Sequence, residues 1–189
     1  MNLILASGSP RRSLLLSMAG IRFETIVPDI DESPLPGEPP SEYVLRLSRA
    51  KAHAVPRTGG VVALGADTTV VFDGHILGKP STAEEAVSML DSLQDQTHSV
   101  LTGWTIAGGD NERFGVEEST VTFHERTHEE LTAYVERTQP FDKAGSYALQ
   151  GDGGWLVAQV NGSRSNVMGL PIKKIVDALK GFGIERSPS

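Results

Sequence analysis

Cysteine is absent from this 189-residue sequence. That excludes disulfides, thiolate nucleophiles and cysteine-ligated zinc. No apolar run approaches the roughly 20 residues needed to cross a bilayer. The N-terminus has no basic stretch followed by a long apolar one, so no signal peptide is expected. A cytoplasmic location without a membrane partner is the simplest reading. Positive charge is scarce: 17 Lys and Arg stand against 24 Asp and Glu, a formal net charge of -7. Long-range attraction to nucleic acid is therefore not expected, because the phosphate term needs a positive face. An anionic substrate remains compatible if the few cations converge, with Arg11, Arg12, Lys51, Lys79 and Lys143 as candidates. There is no P-loop, no G-x-G-x-x-G and no G-x-S-x-G elbow. The five histidines, His53, His75, His98, His124 and His128, lack metal-ligand spacing and read as structural or surface residues.

What is present fits one globular domain over residues 1–189, or two lobes sharing a cleft. Leu3 to Ala6 predicts a buried strand, and Arg11 to Ala19 a helix closed by Gly20. Phe23 to Val27 alternates like a strand. Residues 28–40 hold five prolines and four acids, which predicts a loop and a candidate lid. Ser41 can cap a helix whose inner face carries Val44, Leu45, Leu47 and Ala50. Val61 to Leu64 and Thr69 to Phe72 predict two strands flanking Gly65-Ala66-Asp67, with Asp73-Gly74 as a hairpin turn. Ser81 and Thr82, with Glu84 and Glu85, open a helix to Leu93. His98 to Ala107 and Val116 to Phe123 predict a long hairpin around Gly108 to Arg113. Thr127 and Glu130 form a capping box for a helix to about Arg137. Gly145 to Leu149 and Trp155 to Val160 predict late strands. Pro171 to Lys180 predicts the last helix, and residues 184–189 a frayed tail. Strands and helices alternate without a strict βαβ period, so the class is α/β with a long mixed sheet flanked by helices.

The densest chemical signal is Ser7-Gly8-Ser9-Pro10-Arg11-Arg12, between the first strand and the first helix. Unpaired N–H groups and the positive dipole end at a helix start favour an anion, and arginine forks suit phosphate oxygens. Asp67 follows an apolar run and two small residues. There it can hold a cation or orient water, or it can be a turn aspartate bonding its own backbone. Asp31-Glu32 supplies a second candidate carboxylate. Gly78-Lys79-Pro80 fixes a lysine before a capped helix. Lys51, two residues from Arg49, cannot share that residue's face. Asp142-Lys143-Ala144-Gly145-Ser146-Tyr147 with Leu149-Gln150-Gly151 is polar and small, and Gln150 can both donate to and accept from a base edge. Gly162 to Val167, then Gly169-Leu170-Pro171, offers a second phosphate-friendly entry to a helix.

Together these runs resemble the Maf family of nucleotide pyrophosphatases. The matching pieces are Leu5 to Arg12, Asp31-Glu32, Arg49 to Ala52, Gly65 to Thr68, Gly78 to Pro80, Asp142 to Tyr147 with Gln150-Gly151, and Val167 to Pro171, in family order. The resemblance implies an elongated two-lobed fold with a central cleft, similar to inosine triphosphate pyrophosphatases, and a homodimer. It implies hydrolysis of a nucleoside triphosphate to the monophosphate and pyrophosphate with a divalent metal, Mg²⁺ or Mn²⁺. It places Asp67, Glu32, Lys51 and Lys79 in catalysis, with Glu32 and Asp67 on the metal. It places Ser7, Ser9, Arg11, Arg12, Thr68, Lys143 and Gln150 on the substrate. The second arginine, Asp142-Lys143 and Leu149-Gln150-Gly151 resemble the branch acting on dTTP and UTP. Two rival readings accompany it. One is a non-catalytic nucleotide- or nucleic-acid-binding regulator of septum formation. The other is a nucleotidyltransferase with a sugar phosphate in place of water.

Overall fold

A computed structural model describes residues 2–56 and 59–186. Seven strands and six helices run in the order β1 (Asn2–Ala6), α1 (Pro10–Met18), β2 (Glu24–Ile26), α2 (Pro40–His53), β3 (Val61–Phe72), β4 (His75–Leu77), α3 (Ala83–Leu93), β5 (Thr97–Gly108), β6 (Asn111–Phe123), α4 (His128–Thr138), β7 (Val157–Asn161), α5 (Arg164–Val167) and α6 (Ile172–Lys180). Strand pairing runs β2-β1-β3-β5-β6-β7, with β4 also on β3. β1 is parallel to both β2 and β3, whereas β3–β4 and β6–β7 are antiparallel. The mixed α/β class is as expected. Among the described residues, no helix is long and apolar enough to cross a membrane.

The chain divides into two compact units. The first runs up to Thr68 and includes Thr102–Glu117 and everything from Gly169 onward. The second holds Thr69–Leu101 and Glu118–Met168.

In the first unit, α1 ends in a Schellman turn. Gly20 at φ 72° donates to Ser17 O, and Ile21 N reaches back to Leu16 O. α2 starts one residue before the expected cap. Pro39 is the N-cap and Pro40 occupies the first turn, where a missing N–H costs nothing, so Ser41 caps nothing. Its buried face is Val44, Leu47, Ser48, Lys51 and Ala52. Leu45 and Ala50, expected inside, are only half-buried. The helix lies hard against two glycines. A Cβ on Gly65 of β3 would stand 2.1 Å from Ser48 O, and one on Gly103 of β5 would stand 2.3 Å from Val44 O. Gly65 therefore admits the helix and does not break the strand: β3 is one continuous strand through Asp67, where two strands were expected. At the other end of this unit, Ile184 is buried and its N–H donates to Leu179 O, so the expected fraying does not begin there. Ser187, Pro188 and Ser189 lie outside the described residues.

In the second unit, Asp73 and Gly74, at φ 48° and 76°, make the expected hairpin between β3 and β4. Thr82 caps α3, and the Thr127–Glu130 capping box opens α4. These helices bury Ala86, Val87, Leu90 and Leu93 with Leu131, Tyr134 and Val135 in one core, beside Val121 and Phe123 of β6. Gly145 to Leu149 is not a strand. Gly145 and Ser146 sit at φ 67° and 64°, which turns the backbone into a short 3₁₀ segment, Ala144–Ser146. Likewise Gly151–Leu156 is 3₁₀, and β7 begins only at Val157.

His98 is enclosed in this second core. Its Nε2 lies 2.8 Å from the Tyr147 hydroxyl, and its ring meets Phe123 and Tyr147 edge-on. Burial pushes its pKa from 6.5 to about 4. The unfolded chain thus binds a proton that the folded chain refuses. The stabilisation is whole above pH 6.5 and is lost as the pH falls toward 4. A shift of this size corresponds to about 3 kcal/mol. Urea unfolding at pH 7 and pH 4.5 should therefore show a smaller wild-type stability at the lower pH. The loss should be smaller in His98→Gln. Equal losses in the two proteins would exclude this histidine as the titrating group.

Candidate functional site

β1 and β3 run in the same direction, and their pairing stops at Ala6 opposite Gly65. Two residues beyond that point on β3 is Asp67, and one residue beyond on β1 is Ser7. The site therefore sits outside the carboxyl end of a parallel strand, where ligands of open α/β sheets bind. The strand end is that of β1, because β3 itself continues past Asp67.

Alternation along β3 sends successive side chains to opposite faces. Gly65 and Asp67 face α2, and Thr68 faces away from it. On the α2 side, Lys51 stands between two carboxylates. Its Nζ is 2.6 Å from Asp67 Oδ1 and 2.6 Å from Glu32 Oε1. Lys51 is 8% exposed and Asp67 9%. A lysine normally extends into water. Here its position on the buried face of α2, against Gly65, holds it in the interior.

Glu32 reaches this cluster because α2 fastens its loop. The Tyr43 hydroxyl donates to Glu32 O at 3.0 Å. Arg46 grips Glu38 through Nε at 2.6 Å and Nη2 at 2.7 Å, and Nη2 also donates to Ser33 O. Burial, with the charges of Asp67 and Glu32, raises the Tyr43 pKa to about 12, so the hydroxyl keeps its proton and remains a donor at any physiological pH.

On the other face of β3, Arg12 gathers three oxygens. Nε donates to Gly169 O at 2.8 Å, Nη1 to Ser7 Oγ at 2.9 Å and Nη2 to Thr68 Oγ1 at 3.1 Å. Thr68 Oγ1 is also 2.9 Å from Thr102 Oγ1. Burial lowers the Arg12 pKa, and Asp67 opposes that shift. The resemblance gives Arg12 to phosphate, but these three partners are all protein oxygens. These contacts tie the Ser7 loop to β3 and to the Gly169 carbonyl. Ser9 is the N-cap of α1 but makes no side-chain cap, and its N–H donates to Ser7 Oγ. The first turn of α1 carries no acid, which leaves its dipole uncompensated by side chains. Arg11 is half-buried in that turn.

Lys79, Lys143 and Gln150 belong to the second unit. There Gly145 N donates to Gly78 O at 3.1 Å, so the segments carrying Lys79 and Lys143 are joined. Lys143 Nζ is 2.5 Å from Asp142 Oδ1. Lys79 and Gln150 are exposed. The first unit thus unites Ser7, Arg12 and Thr68 in one network, and Glu32, Lys51 and Asp67 in another. Adjacent residues of β3, Asp67 and Thr68, link the two. Within Gly162 to Val167, α5 (Arg164–Val167) is only four residues long, and the Oγ of its cap Ser163 accepts from Asn166 N.

Three contributors were not anticipated: Tyr43, Thr102 and the Gly169 carbonyl. Thr102 carries a readable signal, a hydroxyl inside the apolar run Val100 to Ala107. The other two act through a hydroxyl on a backbone oxygen and through a bare carbonyl, which residue type does not announce.

Glu32 and Asp67 offer carboxylate oxygens, the ligands a hard divalent cation prefers, with the Lys51 ammonium between them. No group of three or more His, Cys, Asp and Glu side chains able to hold a metal occurs among the described residues. That donor set matches a Mg²⁺-type ion held by two carboxylates and completed by substrate oxygens and water, as distinct from an all-protein cage.

Relatives match this chain over nearly its whole length. A protein of Geotalea uraniireducens called dTTP/UTP pyrophosphatase is 48% identical over 187 residues, covering 96% of this chain and 95% of that protein. One of Symbiobacterium thermophilum with the same name is 46% identical, covering 96% and 94%. A solved nucleoside-triphosphatase, a dITP/XTP pyrophosphatase from Mycobacterium abscessus, superposes with a TM-score of 0.44 at 12% identity, over 97% of this chain and 95% of the other. The Maf-like protein family matches residues 2–182, and the chain belongs to that family.

Proposed function

We propose that this chain hydrolyses dTTP and UTP, with CTP and modified pyrimidine nucleotides as further candidates, to the nucleoside monophosphate and pyrophosphate. The observation that carries this reading is the cluster of buried Asp67 and Lys51 with the more exposed Glu32 at the end of β1, next to the Ser7–Ser9 loop and the start of α1. Carboxylates beside cations have little use in a plain anion binder. The names of the two relatives support the choice of nucleotide.

In this reading water attacks the α-phosphorus, the bond to the α,β-bridging oxygen breaks, and pyrophosphate leaves. Phosphoryl chemistry asks the protein mainly for positioning and charge neutralisation. Ser7, Ser9, Arg11, Arg12 and the first turn of α1 receive phosphate oxygens, and Arg12 also ties the Ser7 loop to β3. Asp67 orients the attacking water. Glu32 and Asp67 would hold Mg²⁺ or Mn²⁺, which when bound supplies charge neutralisation and a more acidic water. Lys51 and Lys79 balance the phosphate charge. Lys143, Gln150 and Thr68 take the nucleoside side. A single Maf domain, a homodimer and a cytoplasmic location complete the proposal.

The test is product analysis with dTTP, UTP, CTP and dATP in the presence of Mg²⁺. Pyrophosphate and monophosphate should form in equal amounts, fastest from dTTP and UTP, and EDTA should stop the reaction. Release of orthophosphate, or of nothing, would overturn the reading. Undiminished turnover in EDTA would remove the cation from it.

A further inference from the structure

We infer that Lys51 is a placeholder for the divalent cation: its ammonium occupies the seat between Glu32 and Asp67 in the free protein, and the cation takes that seat only together with a triphosphate. This inference rests on the functional reading above, whose cation is assigned to the same two carboxylates.

The distances carry it. One Nζ lies 2.6 Å from an oxygen of each carboxylate. A cation bridging those oxygens must approach them at about 2.0–2.1 Å for Mg²⁺, which is the place the ammonium now fills. The two charges cannot share it. Two carboxylates and one ammonium leave a single net negative charge, which is a poor field for a divalent ion. The protein has few ways to compensate, since no third metal-binding side chain joins the group among the described residues.

Lys51 also has somewhere to go. An ammonium has three donors, and two of them are on Asp67 and Glu32. Transferring them to phosphate oxygens exchanges one set of anionic acceptors for another. A flexible four-carbon stem allows that movement while its base stays between Ser48 and Ala52 on the buried face of α2. Arg12 lacks this freedom, being held by Gly169 O, Ser7 Oγ and Thr68 Oγ1. The triphosphate therefore performs two tasks at once. It draws the lysine off the carboxylates and brings the oxygens that complete the cation's coordination. By linkage, the cation must strengthen nucleotide binding by the same factor. The arrangement keeps the nucleotide-free protein from filling its site with a cation and water alone.

The experiment is a Mn²⁺ titration of nucleotide-free protein, read by the electron paramagnetic resonance of free Mn²⁺. Wild type should bind weakly. Lys51→Met should bind about tenfold more tightly or better, within the usual range of coupling between sites. Adding Asp67→Asn to that variant should abolish the gain, which locates the ion. Lys51→Gln serves as a second neutral replacement, and thermal unfolding reports that each variant is folded. Equal Mn²⁺ affinity in wild type and in a folded Lys51→Met or Lys51→Gln would overturn the inference. The functional reading fails separately. A gain in Mn²⁺ affinity without pyrophosphate release by wild type would uphold the placeholder and refute the pyrophosphatase.

Discussion

Asp67→Asn is expected to lower the rate of pyrophosphate release from dTTP by about 10²- to 10⁴-fold, the range typical of a group that handles the attacking proton or water. The asparagine fits the same space, so the loss is chemical. It removes one of the two carboxylates on Lys51 and one of the two assigned to the cation. Stability should suffer less than the 3–5 kcal/mol typical of an orphaned buried charge, because the Lys51 ammonium keeps Glu32 at 2.6 Å. Thermal unfolding and turnover measured on the same preparation separate the two effects. A small change in melting temperature with a collapse of kcat supports the assignment. Wild-type turnover in the variant would remove Asp67 from the chemistry. A parallel loss in Glu32→Gln should be milder, since Glu32 lies on the exposed side of the cluster and its backbone is held by Tyr43 independently of its carboxylate.

The same residues show how much could be read before the structure and where reading stopped. Runs tied to local rules came through: the Schellman glycine after α1, the Asp73-Gly74 hairpin and the capping box of α4 depend on neighbours in the chain. Lys51 stands in the sequence as a candidate site cation, and its burial is legible there as well. Val44, Leu47, Ser48 and Lys51 recur at 3.6-residue spacing, and a lysine in that series belongs to the buried face. In the sequence, Gly65-Ala66-Asp67 reads as a break between two strands. Here Gly65 admits the backbone of a helix, and only the third dimension distinguishes the two cases. The Gly145 to Leu149 segment failed for the opposite reason. Its apolar and small residues suit a strand, yet Ser146 adopts a left-handed conformation that few non-glycine residues take. The networks around Arg12 and Lys51 join residues up to 157 positions apart. Motif order could nominate their members, but not which oxygens each of them meets.

Gly65→Ala is the structural counterpart of the Asp67 replacement and should be the most destabilising single-methyl addition at this site. The glycine is not needed for its backbone angles, since it lies within a regular strand and is not among the positive-φ residues. It is needed for space. The added Cβ would fall 2.1 Å from Ser48 O and 2.6 Å from Ala52 N, both backbone atoms of α2, so no side-chain rotation relieves the contact. The helix must move as a body. Overpacking ordinarily costs 1–3 kcal/mol, and a backbone obstacle places this case at or above about 3 kcal/mol. For a chain of this size that corresponds to a fall in melting temperature of roughly 6–12 °C. Displacing α2 also carries Lys51 away from Asp67 and Tyr43 away from the Glu32 carbonyl, so kcat should fall even at temperatures where the variant remains folded. Two controls separate this account from a general intolerance of alanine. Gly78→Ala, with nothing within 4 Å of the new Cβ, should alter stability by less than about 0.5 kcal/mol. Ala52→Gly placed on Gly65→Ala removes the side-chain contact at 3.1 Å but neither backbone contact, and should restore little. Full recovery in that double variant would show that α2 does not rest on the strand backbone at Gly65, and the positioning of Lys51 would then need another cause.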